Sequence, residues 1–561
     1  MMGATRERAR WGKGATRTAP VALWCRRWIG TLAAALCAAA AGCDAPEEPK
    51  AYAALAPPVA AWPRLTREQY KAVVTDVFGD DLALPSQLEP DASIDGMFAV
   101  GAAIATVSNR GVELYEDGAR GIARQIVEKP GRLGDLLPCG LGSRDACLQA
   151  LVDRYAPRLW RRPASAEERT RVIAIGQKAG TALGTDADAM EYALAALLQS
   201  PHLLYRAEIG EPDPEAKGGL RLTAYELAGK LALVLGGGAP DAELVARAAD
   251  GTLNDPKVLR LEAERLLKLP TARRAVRAFA SQWLHLDGLD GLNKDPTIFK
   301  HFSTDLGAAA REETLRLVEW LVFEQDADMR DLITTRTTFV DRRLAAIYDV
   351  PAAVEDGFGQ VTLPASGVRR GLLGHVSFLA SRSHPVSSSA TLRGVFIREV
   401  LLCEQVPLPP SDLNTSIPEA SSTAPTLKER LIAHMLEPSC NGCHSYTDPP
   451  GFGLENFDGI GRYRSHDNGA LIDPSGTIDG VNFKNAVELS AAIADNPNYR
   501  KCLVEKVWAF ANNRRPGKGT HGTLERLEDR FGDEGMRLRA LLLDVVTDPS
   551  FRRLAVAKAA P

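Results

Sequence analysis

The stretch TLKERLIAHMLEPSCNGCH, residues 426–444, joins an amphipathic helix to a C-x-x-C-H motif. That motif is the attachment sequence of c-type haem. In this chemistry the two thiols form thioethers with the haem vinyl groups, and the histidine that follows binds the iron. The stretch therefore predicts one covalent haem c, attached through Cys440 and Cys443 and held at the iron by His444 as proximal ligand.

The same motif admits other interpretations. A structural zinc site needs four ligands, and no second ligand pair has zinc-like spacing. A thioredoxin-like redox pair needs a strand-to-helix turn, which the surroundings lack. A simple disulfide at this spacing is strained. Export of the chain favours haem, because cytochrome c matures outside the cytoplasm.

The residues around the motif suggest how a porphyrin is covered. Leu427, Leu431 and Met435 lie on one helical face and could form an apolar wall. Asp448-Pro449-Pro450-Gly451 predicts a turn that ends the haem-binding stretch. Three apolar residues further on either pack on the porphyrin edge or belong to ordinary core: Phe452, Leu454 and Phe457.

The sequence leaves more than one candidate for the sixth iron ligand and for the residues that contact the haem propionates. The candidates for a sixth iron ligand are His384, His434, His466 and Met435. An open sixth position would permit small-molecule chemistry, whereas a filled one favours electron transfer. Arg462 and Arg464, oriented by Glu455 and Asp458, either meet haem propionates or form solvated ion pairs. The same two interpretations apply to Arg369, Arg370 and Arg393.

The N-terminus predicts export. Residues 1–27 carry seven basic residues and one acidic residue, and residues 28–41 are an uncharged apolar run. This pattern is typical of a signal peptide, here 1–42, with an uncut anchor helix as the alternative. Ala40-Ala41-Gly42-Cys43 resembles a bacterial lipobox, which implies a lipid on Cys43, a tether over 43–62 and membrane contact through that anchor only. The predicted location is the bacterial cell envelope, as a periplasmic or outer-surface lipoprotein.

Composition narrows the class of protein. The 561 residues carry 67 basic and 71 acidic side chains, and removal of the leader leaves 60 and 70, a formal charge of −10. That balance argues against nucleic acid and favours a basic redox partner protein. Capping boxes at Thr66, Ser165 and Thr223 predict a mainly α protein. Further helical patterns cover 257–288, 305–325, 426–437, 485–513 and 522–546, with short extended pieces near 336–340 and 470–483.

The cysteine count fits an oxidising compartment. Of nine cysteines, Cys25 and Cys37 leave with the leader, one takes lipid and two take haem. Four remain, which is an even number. The predicted disulfides are Cys139–Cys147 and Cys403–Cys502, with free buried thiols as the alternative.

Nine segments carry a resemblance to a known family, and three of them are LLQSPHLLYRAE (197–208), TTFVDRRLAAIYDV (337–350) and RRGLLGHVSFLA (369–380). The other six are CNGCHSYTDPPGFGLENFDGIGRYR (440–464), LTREQYKAVVTDVFG (65–79), CLQALVDRYAPRLWRRPASAEE (147–168), LTAYELAGKLALVL (222–235), LRGVFIREVLLC (392–403) and YRKCLVEKVWAFANNR (499–514). The chain resembles an exported cytochrome-c-like family of planctomycetes and myxobacteria, described by domains of unknown function 1587, 1595, 1592, 1588 and 1585. With a single C-x-x-C-H, the resemblance implies one haem. It favours His384 and His434 over His466, and Thr447 stands where relatives carry Met or Ile.

The resemblance and the patterns together predict a multi-module helical protein with a C-terminal cytochrome-c-like haem module. The modules after the tether are 63–135, 136–210, 211–352, 366–470 with the haem motif, and 471–561. The expected function is electron transfer by an exported, lipid-anchored c-type haem protein. Two alternatives stay open: a peroxidase- or oxidase-type enzyme with an open iron, and a surface binding or scaffold lipoprotein with structural haem. No other catalytic motif supports the enzyme.

Overall fold

The computed structural model describes residues 50–129, 143–407, 417 and 419–556. Contacts separate the first 51 residues from Tyr52–Pro561, and every element named below lies in this second unit. Helices make up most of the described chain and strands are short, so the prediction of a mainly α protein is confirmed.

The helices are numbered in chain order. Those before residue 300 are α1 (Arg67–Phe78), α2 (Phe98–Gly101), α3 (Asn109–Glu128), α4 (Arg144–Leu159), α5 (Ala166–Leu183), α6 (Asp186–Leu198), α7 (Pro201–Leu204), α8 (Ala224–Gly236), α9 (Ala242–Ala249), α10 (Pro256–Leu266) and α11 (Thr271–Trp283). Those after it are α12 (Leu306–Glu319), α13 (Asp331–Thr334), α14 (Arg342–Tyr348), α15 (Gly371–Gly374), α16 (Val376–Ser381), α17 (Ala390–Phe396), α18 (Leu427–His434), α19 (Pro438–Phe452), α20 (Ala486–Ala494), α21 (Pro497–Asn512), α22 (His521–Asp533), α23 (Leu538–Thr547) and α24 (Pro549–Arg552).

The strands form small antiparallel sheets. They are β1 (Glu211–Pro212), β2 (Leu220–Arg221), β3 (Thr337–Val340), β4 (Gly359–Thr362), β5 (His466–Asp467), β6 (Ala470–Leu471), β7 (Gly476–Ile478), β8 (Val481–Phe483) and β9 (Arg553–Leu554). The pairs are β3 with β4, β5 with β6 and β7 with β8, and β2 lies between β1 and β9. The extended pieces predicted near 336–340 and 470–483 are thereby confirmed.

Local sequence explains where the helices begin. Thr66, Ser165 and Thr223 each form the predicted capping box, and Thr426 forms another in front of α18. The long patterns are interrupted, however. The 257–288 pattern breaks at Pro270, which precedes α11, because proline lacks the N–H that a continuous helix would donate.

The two C-terminal patterns break for similar reasons. The 485–513 pattern divides before Pro497, which occupies the first turn of α21 behind the cap of Asn496. The 522–546 pattern divides at Gly535 and Met536, whose backbones are left-handed.

Buried apolar side chains form four clusters. One joins α1 and α3–α7, and the largest joins α8–α11 to the C-terminal helices α20–α24. A third packs α12 and α14 around β3 and β4. The fourth is a small cluster between α17, α18 and α19, built from Ala390, Leu427, Leu431 and Phe452. This last cluster lies beside the C-x-x-C-H motif.

A buried polar network stabilises the region of α12. Glu313, which is fully buried, accepts hydrogen bonds from Thr338 (2.6 Å) and Tyr348 (2.7 Å). Nearby, the Nδ1 of His375 and the hydroxyl of Thr314 share a hydrogen bond of 3.0 Å. Burial raises the pKa of Glu313 to about 7 and lowers the pKa of His375 to about 3. Both groups are therefore favoured in their neutral forms.

We expect Glu313 to make stability depend on pH. Because its folded-state pKa lies above the ordinary 4.5, its contribution is complete below pH 4.5 and is lost as pH rises through about 7. The difference in unfolding free energy between wild type and Glu313→Gln should fall by about 3 kcal/mol across this window. Urea unfolding at several pH values measures it, with the exposed Glu355→Gln as control. A pH-independent difference would contradict the assignment.

Candidate haem site

The C-x-x-C-H motif lies on the first turns of α19. Cys440 and Cys443 are half-buried free thiols, and among the described cysteines they alone are unpaired. They stand three positions apart along the helix, so both thiols lie on adjoining turns next to His444. The helix starts at Pro438, where the missing N–H costs nothing.

His444 is held by a buried carboxylate one turn further on. Its Nδ1 donates to Oδ2 of Asp448 at 2.8 Å, and Asp448 is fully buried. The hydrogen bond from His444 to Asp448 raises the pKa of His444. Because Nδ1 is engaged, Nε2 is the nitrogen left to bind a metal, as in carboxylate–histidine–metal triads. From the sequence, Asp448 was expected only as part of a turn. Its role as partner of His444 was not predicted, although the i, i+4 spacing of the two residues is visible in the sequence.

The prediction of a turn at residues 448–451 is wrong. The helix continues through Pro449 and Pro450 to Phe452. A proline at position 450 leaves the carbonyl of Tyr446 without its helical donor. The Arg398 Nε donates to that oxygen at 3.3 Å, and its guanidinium lies 4.0 Å from the centre of the Tyr446 ring. A buried arginine from another segment thus replaces the missing backbone donor.

Two glycines let α17 cross α19 closely. A Cβ on Gly394 would come within 1.7 Å of the carbonyl oxygen of Thr447, and one on Gly451 within 1.9 Å of that of Ala390. Only glycine permits this backbone approach. The crossing fixes the motif helix against the segment that leads to Cys403.

The apolar residues near the motif divide between two cores. Leu427, Leu431 and Phe452 form the small cluster beside the motif, and Met435 packs against it. Leu454 and Phe457 instead belong to the largest core, where both are fully buried. For these two, the interpretation as ordinary core is the one that the structure supports.

Of the sixth-ligand candidates, His434 lies next to His444. Their ring centres are 5.0 Å apart and the rings meet edge to face. His434 is the last residue of α18 and Met435 follows it. His384 and His466 are exposed, and His466 bonds its neighbour Ser465. The described structure gives neither of them a contact with His444.

Of the two arginines predicted to contact haem propionates, Arg464 instead bonds other side chains of the protein. Arg464 bonds Glu455 (2.9 Å), Ser388 and Asp467. Arg462 is exposed, and it bonds Asp458 through its backbone alone: its N–H donates to Oδ1 (2.9 Å) and its carbonyl accepts from the Asp458 N–H (2.9 Å). A propionate contact for either arginine stays a prediction, and Arg462 is the one whose side chain has no hydrogen bond or ion pair to a described residue.

Two further arginines hold the loop that follows α19. Arg393 donates to the carbonyls of Leu454 (2.8 Å), Phe457 (2.9 Å) and Asp458 (2.7 Å). Arg369 donates to the carbonyl of Gly461 (2.5 Å) and stacks on aromatic rings, while Arg370 bonds neighbouring backbone oxygens. Arg369 and Arg393 therefore position the loop at residues 454–461 and are not available at a surface.

The predicted disulfides have different outcomes. Cys403–Cys502 is present and joins the segment after α17 to α21, which confirms this prediction. Cys147 is disulfide-bonded, while Cys139 lies outside the described residues, so their pairing stays a prediction. Cys43 and the leader also lie outside the described residues.

Metal-ion clusters and membrane spans are both absent from the described part of the chain. No group of three or more His, Cys, Asp or Glu side chains there is placed to hold a metal ion. None of the described helices has the length and apolar character of a membrane span.

Five family models match the chain in order. All are described as proteins of unknown function: DUF1587 at residues 64–128, DUF1595 at 147–208, DUF1592 at 222–350, DUF1588 at 369–467 and DUF1585 at 479–551. The DUF1588 model, which spans the motif, bears the cytochrome-type short name PSCyt3. No curated protein and no solved structure matches the chain. The chain therefore belongs to the family of proteins that carry these five domains of unknown function.

Proposed function

We propose that the protein is an exported, lipid-anchored c-type haem protein that transfers electrons. One observation carries the proposal: two free thiols flank a helical turn, and the adjacent His444 has its Nδ1 held by Asp448. This is the donor set that covalent haem c requires, since it offers two thioether sulfurs and an oriented imidazole Nε2. The residues present therefore fit the group.

Each residue has a distinct part in holding the haem. Cys440 and Cys443 supply the covalent links, and His444 supplies the proximal nitrogen. Asp448 fixes the imidazole orientation and raises its basicity as a ligand. The cluster of Leu427, Leu431 and Phe452 offers an apolar wall beside the motif. Bound haem c supplies a one-electron iron couple.

His434 is the sixth ligand in this proposal. Its support is the 5.0 Å between its ring centre and that of His444; neither His384 nor His466 has such a ring contact in the described structure. The two rings meet edge to face and would have to separate for both imidazoles to hold one iron. Two histidine ligands fill the iron, which favours electron transfer over small-molecule chemistry.

We expect reduced wild-type protein to bind carbon monoxide slowly or not at all. His434→Ala should open the sixth position and bind carbon monoxide rapidly, with a shifted Soret band. His466→Ala is the matched control, because His466 is exposed and has no contact with His444. It should behave as wild type.

Other results would contradict the proposed function. Rapid carbon monoxide binding by wild type would contradict a filled iron and favour the peroxidase- or oxidase-type enzyme. Haem that no mild reductant can reduce would contradict electron transfer and favour a structural haem. A closed iron in His434→Ala would overturn the choice of His434 alone.

Partner and location follow from the charge and the leader. The chain after the predicted leader has a formal charge of −10, so we propose a redox partner with a basic face. The signal peptide and the lipid on Cys43 belong to the same proposal, which puts the protein at the bacterial cell envelope. Labelling with a radioactive fatty acid tests Cys43, with Cys43→Ala as control.

A further inference from the structure

A cavity of about 910 Å³ is lined by residues outside the haem motif. Its walls come from α21, α22, the segment 399–406 and residues Asp95–Val100, with His285 at one side. Small-molecule sites in proteins usually measure about 300–1,000 Å³, so the cavity has the size of a ligand site. None of the motif residues lines it, although the wall residue Glu404 accepts a hydrogen bond from Tyr446 of α19.

Three non-glycine residues of the cavity wall have left-handed backbones. Asp95, His285 and Cys403 all line it, and each has a left-handed backbone, with φ of 51°, 54° and 53°. The π-helical turn Ile397–Leu401 also contributes to the wall. Non-glycine residues with positive φ and π-turns both occur preferentially at functional sites.

His285 is held firmly against the wall. A Cβ on Gly96 would come within 1.9 Å of its Nε2, so glycine is required where the imidazole packs. Its Nε2 lies 3.2 Å from the carbonyl oxygen of Asp95. The wall at this side is therefore preformed.

Two adjacent charged residues of the cavity make no direct hydrogen bond or ion pair, although each lies in the electrostatic field of neighbouring charges. Glu505 and Lys506 are both half-buried, and neither makes a hydrogen bond or an ion pair with any residue that the structure describes. Some other charges of the wall are paired, since Asp95 pairs with Arg515 and Glu404 accepts from Arg398. The wall residues Glu399, Lys501 and Lys518 are exposed to solvent, whereas Glu505 and Lys506 are half-buried. Burying a charge without a hydrogen-bonding partner costs free energy, so a ligand with complementary charges would stabilise this wall.

We propose that the cavity binds a small zwitterion of the amino-acid or short-peptide class. The ligand carboxylate would accept from Lys506, and the ligand ammonium would donate to Glu505. A simple anion would leave Glu505 unpaired and would face a wall with six acidic and four basic side chains. A simple cation would leave Lys506 unpaired. A ligand with both charges satisfies both residues.

Triglycine tests the proposal, since it carries both terminal charges and no side-chain chemistry. Titration calorimetry on the full exported chain should show binding of triglycine, and at least about tenfold weaker binding of N-acetyl-triglycine and triglycinamide. Lys506→Met and Glu505→Gln should each weaken triglycine binding about tenfold or more. Lys484→Met, an exposed lysine outside the cavity, should leave it unchanged.

Three results would overturn the proposal. They are no binding of triglycine at millimolar concentration, equal binding of either capped analogue, and unchanged binding in both cavity variants. Because the cavity variants could also lose their fold, each is first compared with wild type by circular dichroism and thermal unfolding.

Discussion

Replacing Cys440 and Cys443 together by alanine should abolish covalent haem. Each thioether needs one of these sulfurs, and every other described cysteine is disulfide-bonded. After expression with cytochrome c maturation, wild type should retain haem stain on a denaturing gel and the double variant should show none. The expected effect is all or none, because neither sulfur has a substitute nearby.

A second cysteine pair provides the matched control. Replacing Cys403 and Cys502 together by serine removes the disulfide across a separation of 99 residues. We expect this variant to keep its haem stain but to lose about 4 kcal/mol of unfolding free energy. Stain in the Cys440/Cys443 variant, or its loss from the Cys403/Cys502 variant alone, would contradict the assignment.

Arg393→Met should be the most destabilising single substitution on this face of the protein. The arginine is completely buried, and its guanidinium serves three carbonyls of the loop after α19 and lies 3.6 Å from Glu455. Methionine fills much of the volume but leaves the three carbonyls without this donor. It also removes the buried positive charge beside Glu455, which keeps only its hydrogen bonds from Arg464 and Ser388. Loss of one member of a buried charged pair costs about 3–5 kcal/mol, which we expect in urea unfolding.

Two variants distinguish this clamp from a general effect of charge. Arg393→Lys keeps the charge but cannot serve several carbonyls in a fixed fork, so it should recover only part of the loss. Arg462→Met removes an exposed arginine and should change unfolding free energy by less than about 0.5 kcal/mol. A cost for Arg393→Met as small as that of Arg462→Met would show that the clamp is dispensable.

Much of the fold could be predicted from short-range chemistry. Capping boxes at Thr66, Ser165 and Thr223 involve side chains three residues apart, so the sequence alone reveals them. The turn assigned to residues 448–451 failed for a different reason. The donor that compensates Pro450 is Arg398, about 50 residues earlier, and no local pattern announces such a contact.

In the candidate site, too, local features could be predicted from the sequence and long-range contacts could not. The C-x-x-C-H motif was visible as a spacing, and the proximity of His434 to His444 agrees with the candidates chosen from the sequence. The roles of Arg369 and Arg393 were not visible, because each acts on backbone oxygens far along the chain. Burial decided between a surface role and a core role for these arginines, and burial is a property of the tertiary structure.

Mass spectrometry of one peptide tests the proposed haem attachment most directly. Trypsin should release residues 431–462, which contain both motif cysteines, from exported protein matured in the presence of the cytochrome c apparatus. The peptide should carry the mass of one haem, with fragment ions assigning it to Cys440 and Cys443. The same peptide recovered at its unmodified mass, with two alkylatable thiols, would contradict covalent haem and the function proposed from it.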